Sequence, residues 1–126
     1  MIRDNAFESV KKALRAKYGS DIYISDSELS DNVPSFPAVS VTCSNYVNRQ
    51  FTTFEKIENM AVIEYTVNVY TNDTETKDEQ AIEIMTVICD AFSELFYLRT
   101  YEEQITNMLD NSITRRTARF IRENVA

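Results

Sequence analysis

Four arginines fall within "SITRRTARFIREN" (Ser112–Asn124), at Arg115, Arg116, Arg119 and Arg122. A guanidinium fork binds phosphate, carboxylate and the face of an aromatic ring. The run therefore offers three chemistries: a nucleic-acid contact, a catalytic anion patch, or a surface for acidic groups of a polypeptide. The usual reactive partners are missing. The chain has no histidine, the ordinary general base at neutral pH. One glycine cannot build a phosphate-cradling loop, and no GxxxxGK[ST], GxGxxG or CxxC pattern occurs. Asp73 with Glu75, or Asp78 with Glu79, could be metal ligands. Acid at a helix start explains them better, because the helix dipole is positive there. Cys43 and Cys89 occupy apolar-phase positions and read as small buried hydrophobes, with no disulfide expected. No catalytic residue, cofactor or metal is assigned, and an enzyme is not expected.

The elements that position these groups must come from one domain, residues 1–126, which is long enough for a real core. A 44% apolar fraction suits a globular chain, and one Gly with two Pro leaves little flexible linker. No apolar run approaches the ~18 residues of a membrane span. "MIRDNAFESV" lacks the apolar stretch of a secretory signal, so cytosolic synthesis is expected. Net charge is −7, unevenly spread. Residues 1–18 carry five bases (Arg3, Lys11, Lys12, Arg15, Lys17) against Asp4 and Glu8, a net of +3. Residues 113–126 also net +3, which leaves −13 for the middle. Such a chain can attract its own copies, end to middle. It suits duplex DNA poorly, because a phosphate-binding surface needs a dominant positive field. The basic ends could equally pair with acid within one molecule.

"DNAFESVKKALRAKY" (4–18) spaces Phe7, Val10, Leu14 and Tyr18 as one helical stripe, with Asp4 or Asn5 as cap and Gly19 as the left-handed stop. Ile22 and Ile24 predict a short strand over Asp21–Ser25, and an acidic loop runs on to Pro37. "AVSVTCS" (Ala38–Ser44) alternates as a half-buried strand. "MAVIEYTVNVYTN" (Met60–Asn72) is the clearest strand, with Ala61, Ile63, Tyr65, Val67 and Val69 on one face and Glu64, Thr66 and Asn68 on the other. Thr76 and Glu79 form a capping-box pattern. A helix from Lys77 to Phe96 follows, with a stripe of Ala81, Met85, Ile88, Phe92 and Leu95 widened by Ile82, Cys89 and Phe96. Such a wide stripe lies flat on a sheet. Tyr97–Ile105 alternates as a strand, and Thr106–Asn111 suits a turn. The arginine run fits either a helix or a strand. Ile113, Thr117, Phe120 and Ile121 would cluster on a helix, but arginines in its first turn would oppose the dipole.

Between the two central strands, "NYVNRQFTTFEKIEN" (Asn45–Asn59) reads as a hairpin arm. Tyr46, Phe51 and Phe54 lie there beside Arg49 and Lys56, a mixture typical of contact surfaces. The arm could also fold back on its own domain.

"FPAVSV" (Phe36–Val41), "YTVNVYTN" (Tyr65–Asn72), the acidic helix and "ITRRTARF" (Ile113–Phe120), in that order, resemble the small tail terminator, or tail completion, proteins of tailed bacteriophages and phage-like particles. The resemblance implies an α/β (α+β) fold: a mostly antiparallel central sheet of four to five strands packed by two helices, its last strand supplied by the arginine run. It also implies a non-catalytic ring, usually a hexamer, on the head-proximal end of the tail tube. Such a ring ends tube polymerisation and joins the tube to the head connector. Implied partners are further copies of the chain, the tail tube protein, the head–tail connector protein and, in a contractile tail, the sheath protein. No membrane is involved, and DNA only passes through. The implied location is the virion tail, assembled in the bacterial host cytoplasm.

A ring needs one patch to meet a different patch on the next copy, and basic ends with an acidic middle supply such a pair. Candidate interface residues are Arg49, Phe51, Phe54 and Lys56 in the arm, and Arg115, Arg116, Arg119 and Arg122. A head–tail connector or stopper component is the alternative within phage assembly. A small cytosolic adaptor domain fits the same composition, and a metal-dependent hydrolase using the acidic residues is the remotest reading.

Overall fold

The computed structural model describes residues 6–27, 29, 35–47, 60–72, 75–105 and 113–125. The first helix, α1, spans Ala6–Tyr18 and buries Ala6, Val10 and Leu14, one residue per turn. Gly19 ends it at φ 65°, and its N–H donates to the Arg15 carbonyl at 2.9 Å. This is the left-handed stop that a side chain resists. Arg15 Nη1 donates to the Gly19 carbonyl at 3.0 Å and the Ile22 carbonyl at 2.6 Å. The helix end is thereby tied to the strand that follows, β1 (Tyr23–Ser25).

Four longer strands are β2 (Ala38–Val47), β3 (Met60–Thr71), β4 (Leu98–Ile105) and β5 (Thr114–Val125). The second helix, α2 (Lys77–Glu94), lies between β3 and β4 in sequence. The strands form one sheet in the order β1-β2-β3-β5-β4. Only β1–β2 is parallel; the other pairs are antiparallel. Two helices on a mostly antiparallel five-stranded sheet make an α+β fold.

The arginine run is a strand, and its position explains why. β5 sits between β3 and β4 and pairs with β3 without interruption from Thr71↔Thr114 to Met60↔Val125. One backbone edge is satisfied by β3, far away in sequence, and the other by the preceding strand β4, pairings that a local side-chain period does not register.

α2 lies over β3 and β5 and packs beside α1. Beneath it Phe92 stacks on Phe120, centroids 4.2 Å apart, and meets Tyr97 edge-on at 5.1 Å and Tyr65 at 5.4 Å. Val39, Val41, Val67 and Val69 complete the floor.

Several local expectations are corrected. α2 stops at Glu94 rather than Phe96. The Leu95 and Phe96 N–H groups donate to the carbonyls of Phe92 and Ser93, and Phe96 turns to φ 67° and leaves the core, 84% exposed. Ile82 is also exposed, while Ile84 and Ala91 are buried, so the stripe is rotated from the expected one. The cause is α1: it packs along the flank of α2 carrying Val87 and Ala91, which face Ser9 and Ala13 of α1 across a cleft. The capping box does not form; Thr76 makes no side-chain cap hydrogen bond. Long-range hydroxyls hold the helix start instead. Thr71 Oγ1 donates to the Lys77 carbonyl at 2.7 Å, and Thr114 Oγ1 to Asp78 Oδ1 at 2.8 Å. Cys43 is exposed rather than buried, because the core takes in Val39 and Val41 and stops short of it. Cys89 is half-buried.

The opposite sheet face is not simply solvated. Ser40, Asn68, Tyr70 and Thr117 are buried on it. Tyr70 Oη donates to the Leu29 carbonyl at 3.1 Å, which places Leu29 against this face.

Candidate interaction surface

Alternation along β5 divides the four arginines between the two sheet faces. Arg116 and Arg122 share the helix-side face with the buried Ala118 and Phe120; Arg115 and Arg119 lie on the other. The run is thus four separate sites.

Arg116 is held within the subunit. Its Nε donates to Glu102 Oε2 on β4 at 2.5 Å, and Nη1 reaches Gln104 Oε1 at 3.3 Å. Glu102 also accepts from Arg99 Nη1 at 2.7 Å, so one carboxylate joins two guanidinium groups. Arg115 Nε donates to Asn68 Oδ1 at 3.0 Å, with its Cζ 6.0 Å from the Tyr70 centroid. Arg122 lies 5.8 Å from the Tyr97 centroid. Arg119 is the exposed one; its Cζ sits 5.3 Å from the Tyr101 centroid on the neighbouring strand β4. Cation–π contacts of this kind contribute ~0.5–1 kcal/mol at exposed sites.

Arg49, Phe51, Phe54 and Lys56 lie outside the described residues, as do Asp73 and the turn at Thr106–Asn111. The structure adds three residues that the arginine run alone does not point to: Glu102 and Arg99 beside Arg116, and Tyr101 beside Arg119 on the opposite face. Their signal is present in "YLRTYEEQI", where a base, an aromatic and two acids fall between Arg99 and Glu103. A register shift between Arg99 and Tyr101 obscures which of them face the same way.

Between α2 and β4 runs an open groove of ≈ 700 Å³, floored by Phe120 and Arg116 and walled by Ile82, Cys89, Leu98 and Glu102. Burial pushes the Cys89 thiol above its ordinary pKa, and Arg99, whose Nη1 lies 3.4 Å from Sγ, only partly opposes this. A thiol kept protonated is a poor nucleophile. Burial and a 2.7 Å hydrogen bond to Glu83 likewise push the Tyr18 phenol far up. Its hydroxyl therefore stays a donor joining α1 to α2. Among the described residues, no three His, Cys, Asp or Glu side chains gather as a metal ion requires. No helix of the described residues is long and apolar enough to cross a membrane. The groove thus presents apolar surface at Ile82 and Leu98 beside charge at Arg99 and Glu102.

A scan against protein-family models finds no match, and a search of curated proteins finds none either. Among solved structures, the chain is similar to one described as "Virion of native gene transfer agent (GTA) particle", with a TM-score of 0.55 and 13% identity. The likeness is one of fold. It covers 95% of this chain and 94% of that one.

Proposed function

We propose that this chain is a non-catalytic structural protein of a tailed phage or phage-like particle. It closes into a ring, a hexamer by resemblance, on the head-proximal end of the tail tube. There it ends tube growth and presents a surface to the head connector. The observation that carries this reading is the end-to-end match in fold to a chain of a gene transfer agent virion. The order of "FPAVSV", "YTVNVYTN" and "ITRRTARF" along the chain supports it independently. DNA passes through the ring without being held, consistent with arginines that are mostly engaged by Glu102, Asn68 and tyrosine rings.

The test is assembly. The purified chain, alone or with growing tail tubes, is expected to show a several-fold subunit mass by native mass spectrometry. Tubes capped at one end should be visible by electron microscopy. A chain that stays monomeric in both settings, with tubes that lengthen unchecked, overturns the proposal. Arg119→Glu is the clean surface variant, because Arg116→Glu would set two carboxylates against each other at Glu102. Arg119→Glu should keep the fold and weaken assembly.

A further inference from the structure

Two different margins of the sheet are left open. Among the described residues, β4 pairs only with β5, and β1 only with β2. Among the described residues, the exposed large apolar side chains lie on or beside these margins. Ile82 and Leu98, exposed by 46% and 67%, line the α2–β4 groove; Phe96, at 84%, stands between α2 and β4, and Tyr101, at 39%, lies on β4 on the face away from the helices. Tyr23, at 36%, stands on β1. Exposed apolar groups gathered in this way mark contact sites, and an open strand edge offers unpaired backbone donors and acceptors.

The helices give the two margins opposite charge. α2, whose one flank borders β4, exposes Asp78, Glu79, Glu83, Asp90 and Glu94, of which Glu83 bonds to α1 and Asp90 lines the β4-side groove, with Lys77 as its one base. α1, tied to the β1 edge through Arg15 and Ile22, carries Lys11, Lys12, Arg15 and Lys17 against Glu8. Part of this charge is used internally: Lys17 lies 4.0 Å from Glu83, and Arg15 caps α1. Lys11 and Lys12 on one side, and Glu79 and Asp90 on the other, take part in no described ion pair.

We infer that the α2–β4 margin of one copy docks against the α1–β1 margin of a second copy, head to tail. The acidic rim at Glu79 and Asp90 meets Lys11 and Lys12, and the groove beside Leu98 and Ile82 receives the partner's edge. A contact between unlike patches repeats indefinitely and closes only as a ring or continues as a filament. This inference rests on the ring reading above and specifies its interface.

The experiment uses two variants of the full chain. Leu98→Arg spoils the α2–β4 margin at a side chain that contributes little to the core. Lys11→Glu with Lys12→Glu spoils the α1–β1 margin. Each alone should run as a monomer by native mass spectrometry. Mixed, they should form a one-to-one heterodimer and nothing larger, because only one intact margin of each kind remains. That heterodimer also shows that both variants are folded. Adding Glu79→Lys and Asp90→Lys to the lysine variant should restore the wild-type mass. If wild type assembles and either variant keeps its full mass, this interface is wrong while the ring stands. If both variants are monomeric but never form the heterodimer when mixed, the head-to-tail pairing is wrong. If wild type stays a monomer even with tail tubes, the ring reading fails and the interface with it.

Discussion

Arg116→Met should destabilise the isolated subunit measurably, although it lies in the run first read as surface. The bond to Glu102 is 2.5 Å long, and the two side chains are only 20% and 17% exposed. Fully exposed pairs contribute ~0–1 kcal/mol, whereas hydrogen bonds to charged groups contribute ~1.5–3 kcal/mol. This half-buried pair falls between. Removing Arg116 does not strand its partner, because Arg99 stays 2.7 Å from Glu102. Methionine also keeps most of the apolar stem. The expected cost is about 1–2 kcal/mol, or roughly 4–8 °C in Tm for a domain of this size. Urea melts of wild type, Arg116→Met, Glu102→Gln and the double variant form a thermodynamic cycle. A coupling energy of about 1 kcal/mol is expected, weakened but not abolished in 1 M NaCl because the pair is sheltered. A coupling below about 0.3 kcal/mol, the ordinary scatter of additive sites, would refute the assignment of Arg116 to the fold.

Phe92→Ala should cost about 3–5 kcal/mol in urea melts, because a fully buried ring stacked on Phe120 leaves a cavity that α2 cannot close. Gly19→Ala should cost about 1 kcal/mol from backbone strain alone, since φ is +65° and nothing lies within 4 Å of an added Cβ. Thiol labelling followed by peptide mass mapping should find Cys43 modified well before Cys89, the difference vanishing in denaturant. Because burial raises the Cys89 pKa in the folded chain, its stabilising contribution is complete below the unfolded thiol value of ~8.5 and is lost as pH rises through the higher folded value. Cys89→Ser should therefore flatten the alkaline limb of a stability–pH curve; an unchanged limb would contradict this.

Much of the fold was legible locally. The spacing of Val10 and Leu14, the glycine after Tyr18 and the alternation through "MAVIEYTVNVYTN" each report a chain whose own period matches its environment. The candidate site was legible only in composition. Four arginines announced a surface, yet whether each is bound or outward depends on which residue stands opposite. For Arg116 that is Glu102, and for Arg119 it is Tyr101. Ile82 and Phe96 matched the apolar period of α2 but lie outside the core, because α1 takes one flank of that helix and leaves the other at the β4 margin.

The sequence by itself determined two amphipathic helices, the strands with clean alternation, and a charge distribution positive at both ends and negative between. Tertiary structure alone decided that the arginine run is an inner strand, that one arginine stays exposed, and that acidic α2 and basic α1 lie side by side over the sheet. The physical reason is range. Helical and strand periods are set by residues within a few positions, whereas β5 pairs on one side with β3, far earlier in the chain, and takes its charge neighbours from β4 across a separate strand pairing.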